Sequence, residues 1–210
     1  MNENTVREIM ARYFETKGIQ AVRQKGSGPD FLEGGNAVEL KGTASDFDRA
    51  TRQFVNYILT SKYKGLTVAF PHDFLNAGKL CKFGIFCQAA LAIDQAVPTY
   101  LLAEDNSFYY VRKFDYGKDV LLDILKEINE QYYKVRLAAA TWQKEVAKKA
   151  DKDFKDLEQL LLSELRRLVQ AKPDLSIPKS SIPLLEQRGY PIGPNGQPFT
   201  QKRTTKSGGE

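Results

Sequence analysis

The stretch of fourteen residues from Gly28 to Lys41, GPDFLEGGNAVELK, constrains the fold of this chain more than any other. Two short apolar-rich runs flank the glycine pair Gly34-Gly35, and this arrangement is typical of a β-hairpin. If the glycines form the centre of the turn, the pairing of the two strands follows by counting outward. This register places Asp30 directly opposite Glu39.

The hairpin is predicted to gather three charged side chains on one face of the sheet. Side chains alternate along a strand, so Glu39 and Lys41 share a face while Leu40 points the other way. Two opposed carboxylates have Cβ atoms roughly 5 Å apart and repel each other, so a divalent cation between Asp30 and Glu39 would remove that cost. The Lys41 ammonium would then lie where it can hold a water or a phosphate oxygen. A turn one residue later would instead pair Asp30 with Lys41 as an ordinary cross-strand ion pair.

Pro29-Asp30, followed by Glu39-Leu40-Lys41, resembles the motif of the PD-(D/E)XK nuclease superfamily. This superfamily includes many restriction endonucleases, archaeal Holliday-junction resolvases and RecB-type exonucleases. The resemblance covers roughly residues 4 to 70 and implies a restriction-endonuclease-like α-β-β-β-α-β core with a mixed central sheet. It also implies that Asp30 and Glu39 bind Mg²⁺, with Mn²⁺ as a substitute, that the Leu40 carbonyl adds a ligand, and that Lys41 helps position the attacking water.

A first helix is predicted from about Thr5 to Lys17, with Asn4 as its cap and Gly18 at its end. Members of the superfamily often carry an acidic residue in this helix that reaches toward the metal site. Glu8 is the candidate by its distance from the end of the helix, although a solvated helix face explains the same residue equally well. A first strand is expected to follow at residues 19–22.

A second helix is predicted from a cap at Ser45 to about Lys62. Gln53 and Tyr57 stand four residues apart on one face of this helix. They are similar to the Q-x-x-x-Y motif of RecB-type and related nucleases, which implies that both border the active site and contact metal-bound water or DNA. Tyr57 could equally be a core residue. Residues 66–70 are expected to form the fourth strand and complete the core.

Four basic residues are candidates for contacts with a nucleic acid: Arg23 and Lys25 around the loop that leads to the hairpin, and Arg49 and Arg52 on the second helix. Ordinary exposed positions would explain the same residues. The chain has 31 Lys and Arg against 26 Asp and Glu, a net charge of +5. This balance suits a polyanionic partner, and the expected partner is DNA, with RNA not excluded.

Beyond the fourth strand the apolar pattern predicts an extension of the sheet. Strands are expected at residues 83–87, 99–103 and 108–114, with a short helix near residues 88–95. His72, the sole histidine, is interpreted as a surface residue. Cys81 and Cys87 have a spacing that fits no zinc or iron–sulfur signature, so we interpret them as buried free thiols.

The C-terminal half divides into a helical region and a tail. From residue 118 to 171 no Gly or Pro occurs, and apolar residues recur in a coiled-coil-like pattern. Residues 148–153 could form a tight turn within a helical hairpin, or the region could be one long helix. It could pack on the core or form a homodimer or larger complex. From residue 172 onward, six of the nine prolines indicate a flexible basic tail.

These patterns predict a nuclease-like domain at residues 1–116, a helical region at 117–171 and a tail at 172–210. No secretory signal or membrane-spanning run is visible, so a cytoplasmic protein without a membrane partner is expected. The predicted function is Mg²⁺-dependent hydrolysis of phosphodiester bonds in restriction or in repair and recombination, as an endonuclease rather than an exonuclease. Two alternatives are a catalytically silent nucleic-acid-binding or architectural module, and a nuclease subunit that is active only within a larger complex.

Overall fold

Seven strands form one mixed sheet in which neighbours in the sheet are also neighbours in sequence. The computed structural model describes residues 1–24, 28–42, 47–74, 77–115, 126–127, 130–131, 134 and 144–182. The strands are β1 (Ala21–Arg23), β2 (Phe31–Glu33), β3 (Asn36–Leu40), β4 (Leu66–Pro71), β5 (Thr99–Glu104), β6 (Phe108–Phe114) and β7 (Leu175–Pro178). The central pairs β3–β4 and β4–β5 are parallel, and the remaining pairs are antiparallel.

The described residues contain four α-helices: α1 (Glu3–Lys17), α2 (Phe47–Leu59), α3 (Ala77–Leu91) and α4 (Lys144–Ala171). The order along the chain is α1-β1-β2-β3-α2-β4-α3-β5-β6-α4-β7. The predicted α/β class and mixed sheet are therefore confirmed. None of these helices combines the length and the apolarity needed to cross a membrane.

The sheet separates two apolar cores. On one face, α1 packs against alternate residues of the central strands, among them Val38 and Leu40 of β3. On the other face, α2, α3 and α4 pack against the intervening residues, which include Ala37. Because successive side chains on a strand point to opposite faces, Glu39 lies on the α2 side of the sheet with Ala37.

The hairpin has the register expected with the glycine pair at its turn. Phe31 pairs with Val38 and Glu33 pairs with Asn36, so the alternative turn one residue later is excluded. Gly34 and Gly35 both have positive φ, at 60° and 94°. Two positive φ values in a two-residue turn match the right-handed twist of the flanking strands, and glycine adopts them without strain.

The first helix begins earlier than predicted. Its cap is Asn2, whose side chain accepts a hydrogen bond from the Thr5 amide at 2.8 Å, so the predicted cap at Asn4 is wrong. Gly18 ends the helix in the left-handed conformation, as predicted. The strand β1 begins at Ala21, two residues later than expected. The second helix α2 ends at Leu59, and its predicted cap at Ser45 lies outside the described residues.

The predicted strand at residues 83–87 is wrong, because these residues form the middle of α3. Phe83, Cys87 and Ala90 are spaced as one face of a helix and are buried in the core with α2 and α4, whereas Ile85 is exposed. The strands expected at residues 99–103 and 108–114 are confirmed as β5 and β6.

His72 is buried, so its interpretation as a surface residue is wrong. It begins a short 3₁₀ turn after β4, and α4 packs over this turn. Only 6% of its surface is exposed, and this burial lowers its pKa. Cys87 is buried and free, as expected, whereas the side chain of Cys81 lies outside the described residues.

The described C-terminal residues are part of the folded core. Helix α4 runs unbroken from Lys144 to Ala171, so the turn considered at residues 148–153 is wrong. Leu161, Leu165 and Val169 bury their side chains against the sheet. Strand β7 then pairs with β6, and the assignment of its residues to a flexible tail is also wrong. Most of residues 118–143 and all of residues 183–210 lie outside the described residues.

Candidate active site

The carboxyl end of β3 lies against the first turn of α1, and Gly42 makes this approach possible. A Cβ atom at Gly42 would come within 2.0 Å of the Glu3 backbone nitrogen and 2.4 Å of the Asn2 carbonyl carbon. No real side chain fits at such distances. The fold therefore brings the start of α1 to the end of the strand that carries Glu39 and leads to Lys41.

Glu39 and Lys41 form a buried ion pair. The Lys41 Nζ atom lies 2.6 Å from Glu39 Oε1, and only 4% of Glu39 and 8% of Lys41 are exposed. Burial and, to a smaller extent, the negative charge of Asp30 raise the pKa of Glu39 to about 7, against the opposing effect of Lys41. Removal of Glu39 from water is therefore the main reason that its charged form is disfavoured.

Asp30 is fixed to the backbone between these two residues. Its Oδ2 atom accepts a hydrogen bond from the Leu40 amide at 2.9 Å, and its charge acts on Glu39. The structure thus brings together the three residues singled out in the hairpin motif. Asp30 lies across from the Glu39-Leu40-Lys41 segment.

Arg7 of α1 is a member of the site that the sequence did not indicate. Its guanidinium donates to Asp30 Oδ1 through Nη2 at 2.5 Å and Nε at 3.2 Å. The same group donates to Asn4 Oδ1 at 3.0 Å and to Glu3 Oε1 at 2.8 Å. A spacing of four residues on a helix could have indicated the Glu3–Arg7 pair. No local pattern connects Arg7 with Asp30, which lies 23 residues later.

Helix α2 contributes Tyr57 to the site. Tyr57 is buried, and its pKa is raised by burial and by the charge of Glu39. Its ring meets the ring of Tyr63 edge to face, with centroids 5.4 Å apart. Gln53, one turn earlier on α2, is exposed. Of the two residues of the Q-x-x-x-Y pattern, Tyr57 is therefore the one on which the charge of Glu39 acts.

Glu8 is also buried, in the middle of α1. Its charge acts on Arg23, whose pKa is lowered to about 10, mainly by burial and by the charge of Arg7. The acidic group of α1 that acts on Glu39 is Glu3. The charge of Glu8 therefore acts on Arg23. Binding of a metal ion by Glu8 stays a prediction.

The remaining basic candidates are spread around the site. Arg23 lies half-buried on β1, with its guanidinium 6.0 Å from the centre of the Phe31 ring. Arg52 is exposed on α2. Lys25 and the side chain of Arg49 lie outside the described residues. Contacts of these residues with a nucleic acid stay predictions.

Asp30 and Glu39 are the residues that could hold Mg²⁺, and this binding stays a prediction. Among the residues that the structure describes, no group of three or more His, Cys, Asp or Glu side chains could hold a metal ion. Mg²⁺, however, usually keeps several waters and binds proteins through one or two carboxylates. In the part of the chain that the structure describes, Leu40 is the donor to Asp30 Oδ2, which leaves one lone pair of this oxygen for a cation. A cation would also offset the repulsion between Asp30 and Glu39.

The raised pKa of Glu39 predicts a pH dependence of stability. Between pH 4.5 and about 7 the folded protein holds a proton that the unfolded chain has released. The stability that this proton contributes is complete below pH 4.5 and is lost as the pH rises through 7. In EDTA, the unfolding free energy from urea titrations should fall by on the order of 1–2 kcal/mol more between pH 5.5 and 8 in the wild type than in Glu39→Gln. An equal fall in both proteins would contradict the raised pKa.

Comparison with known proteins gives no significant match to a protein-family model, a curated protein or a solved structure. The function of the chain must therefore be inferred from the contacts of Asp30, Glu39, Lys41, Tyr57 and Arg7.

Proposed function

We propose that this protein is a Mg²⁺-dependent nuclease that hydrolyses phosphodiester bonds, with DNA as the expected substrate. The observation that carries this proposal is the cluster at the end of β3. There, Asp30 is hydrogen-bonded to the backbone between Glu39 and Lys41, and the latter two form a buried pair. Two carboxylates at one end of the hairpin could hold a catalytic metal ion, and an amine beside them could stabilise the charge that develops on a phosphate.

The order of elements around the cluster supports the same proposal. The chain begins α1-β1-β2-β3-α2-β4, which is the order implied by the resemblance to the PD-(D/E)XK superfamily. The acidic pair and Lys41 belong to the hairpin in this order, and Tyr57 belongs to the helix that follows. The finer assignment to a restriction-endonuclease-like core is part of this proposal.

The roles of the residues follow from their positions. Asp30 and Glu39 would hold the cation, with the Leu40 carbonyl as an additional ligand. The bound cation would polarise the scissile phosphate and lower the pKa of a bound water. Lys41 would orient the attacking water or stabilise the charge that develops on the phosphate. Gln53, on the exposed side of α2, would fix the geometry of the site, and Tyr57 would support it or touch the DNA.

A cleavage assay tests the proposal. Supercoiled plasmid, single-stranded, duplex and branched DNA, and RNA are incubated with the protein in Mg²⁺, Mn²⁺ or EDTA. The wild type should cleave at least one DNA substrate with Mg²⁺ and none in EDTA. Asp30→Asn should reduce the rate by about 100-fold or more, because it removes a carboxylate ligand and its charge.

Asp156→Asn is the matched control, since Asp156 is exposed on α4, and it should cleave at the wild-type rate. Full cleavage by Asp30→Asn would remove the site assignment. A wild type that cleaves none of these substrates in any metal would remove the nuclease proposal. A protein active only after co-purification with a partner would instead identify it as a subunit of a larger complex.

One observation favours a second candidate, a nucleic-acid-binding module without turnover. The Arg7 guanidinium already compensates Asp30 with two hydrogen bonds, so the acidic pair does not depend on a metal for its charge balance. A module of this kind would retard DNA in a gel-shift assay in EDTA and would not cleave it in Mg²⁺.

A further inference from the structure

Arg7 supplies the site with a positive charge of its own. Its side chain is 5% exposed, and three acceptors hold it in place: Asp30, Asn4 and Glu3. Two of these acceptors lie in the first turn of the same helix, so the guanidinium is positioned by α1 before it meets Asp30. Because Nε, Nη1 and Nη2 all donate hydrogen bonds, the planar guanidinium has little freedom to rotate away from Asp30.

The contacts of Arg7 bear directly on how Asp30 could bind a cation. Both N–H groups that Arg7 directs to Asp30 reach the same oxygen, Oδ1. The other oxygen accepts from the Leu40 amide. A divalent ion bound to either oxygen of Asp30 would therefore lie within a few ångströms of a fixed positive charge. In a buried site this repulsion is screened far less than in water.

We propose that Arg7 is an internal competitor of the divalent cation at Asp30 and weakens metal binding to the Asp30–Glu39 pair. This inference depends on the proposed function, because it concerns the cation of that same site. Arg7 neutralises Asp30 in the cation-free protein and must give up part of this contact when the cation binds. The affinity of the site for metal is then set by the Arg7–Asp30 ion pair as well as by the metal ligands.

A purely positioning role for Arg7 makes the opposite prediction. If the guanidinium only holds Asp30 in the orientation needed for metal binding, its removal should weaken the binding of metal. The sign of the change in affinity therefore separates the two roles. Binding of Mn²⁺ can be measured by isothermal titration calorimetry without any nucleic acid present.

The test compares Arg7→Gln with Arg12→Gln, a matched substitution on the same helix. Arg12 is paired with Glu15 at the surface, away from Asp30. We expect Arg7→Gln to bind Mn²⁺ about tenfold more tightly than the wild type, because a fixed positive charge next to the metal is removed. Arg12→Gln should bind as the wild type does. Asp30→Asn should abolish binding in both backgrounds.

Asn4→Ala provides a second variant in case Arg7→Gln does not fold. Asn4 is exposed, so its removal leaves the core unchanged, but it accepts a hydrogen bond from Arg7 Nη1. Without this anchor the guanidinium can move away from Asp30 more easily. We expect Mn²⁺ binding to be roughly twofold to threefold tighter in Asn4→Ala.

Tighter binding in Arg7→Gln, or binding in that variant where the wild type shows none, supports the inference. Unchanged or weaker binding in folded Arg7→Gln, or in Asn4→Ala if the former does not fold, overturns it. In that case, cleavage of DNA by the wild type in Mg²⁺ would still support the proposed function. Failure of this inference can therefore be distinguished from failure of the proposed function. Absence of Mn²⁺ binding in both wild type and Arg7→Gln overturns the inference together with the metal site.

Discussion

The variant Lys41→Met is expected to keep its ability to bind Mn²⁺ but to cleave DNA at least about 100-fold more slowly at saturating metal. The amine is not a metal ligand, so its loss leaves Asp30 and Glu39 able to bind the ion. What is lost is the positive charge next to the attacking water and the phosphate. Single-turnover cleavage at pH 8, combined with calorimetric Mn²⁺ titration, measures the two effects separately.

The fold should tolerate this variant. Methionine has a length similar to that of lysine. In the metal-free protein, Glu39, left without its amine, can take up a proton because its pKa is already raised, and a bound cation would displace that proton. Lys64→Met is the control: Lys64 is exposed and packs over Gly35 at the far end of the hairpin. Cleavage by Lys41→Met at the wild-type rate would contradict the role of Lys41, while a slow Lys64→Met would show that the effect is not local.

The variant Gly42→Ala is expected to be destabilised by about 3 kcal/mol or more, at the upper end of what overpacking costs. The added Cβ would meet backbone atoms of Asn2 and Glu3, and backbone atoms cannot move aside as a side-chain end can. The first turn of α1 must shift, and Arg7 must shift with it. Thermal unfolding followed by circular dichroism should show a melting temperature lower by roughly 10 °C.

The control for this effect is Gly28→Ala. Within the described part of the chain, a Cβ there would contact only the Tyr63 hydroxyl, at an ordinary distance of 3.8 Å. Its melting temperature should stay close to that of the wild type, because no atom needs to move and alanine restricts the unfolded chain slightly. Equal melting temperatures for Gly42→Ala and the wild type would contradict the close contact between α1 and the end of β3.

The hairpin could be predicted because its signals are local. Gly34 and Gly35 supply the turn, and alternation along β3 then fixes which side chains share a face. Counting residues outward from the turn also predicts that Asp30 pairs with Glu39, and this needs no information from the rest of the chain. Arg7 could not be found in this way, because its position depends on how α1 packs against Gly42. That contact is set by the whole sheet.

Other differences have the same physical origin. His72 is buried because α4 packs over it, and α4 lies far along the chain. Residues 83–87 are a short apolar run, which periodicity alone cannot assign to a strand or a buried helix. Residues 175–178 have a composition typical of a tail, and they become strand β7 because β6 offers a free edge. In each case a contact with a distant part of the chain decides the structure, and the local sequence does not contain that information.

The central claim is that Asp30 and Glu39 share one divalent cation. Anomalous scattering from a crystal soaked with Mn²⁺ tests it most directly, because the position of the ion is seen without reference to activity. We predict a single strong peak within coordination distance of a carboxylate oxygen from each of Asp30 and Glu39. Mn²⁺ peaks only elsewhere, or none at a concentration that supports DNA cleavage, would contradict the claim.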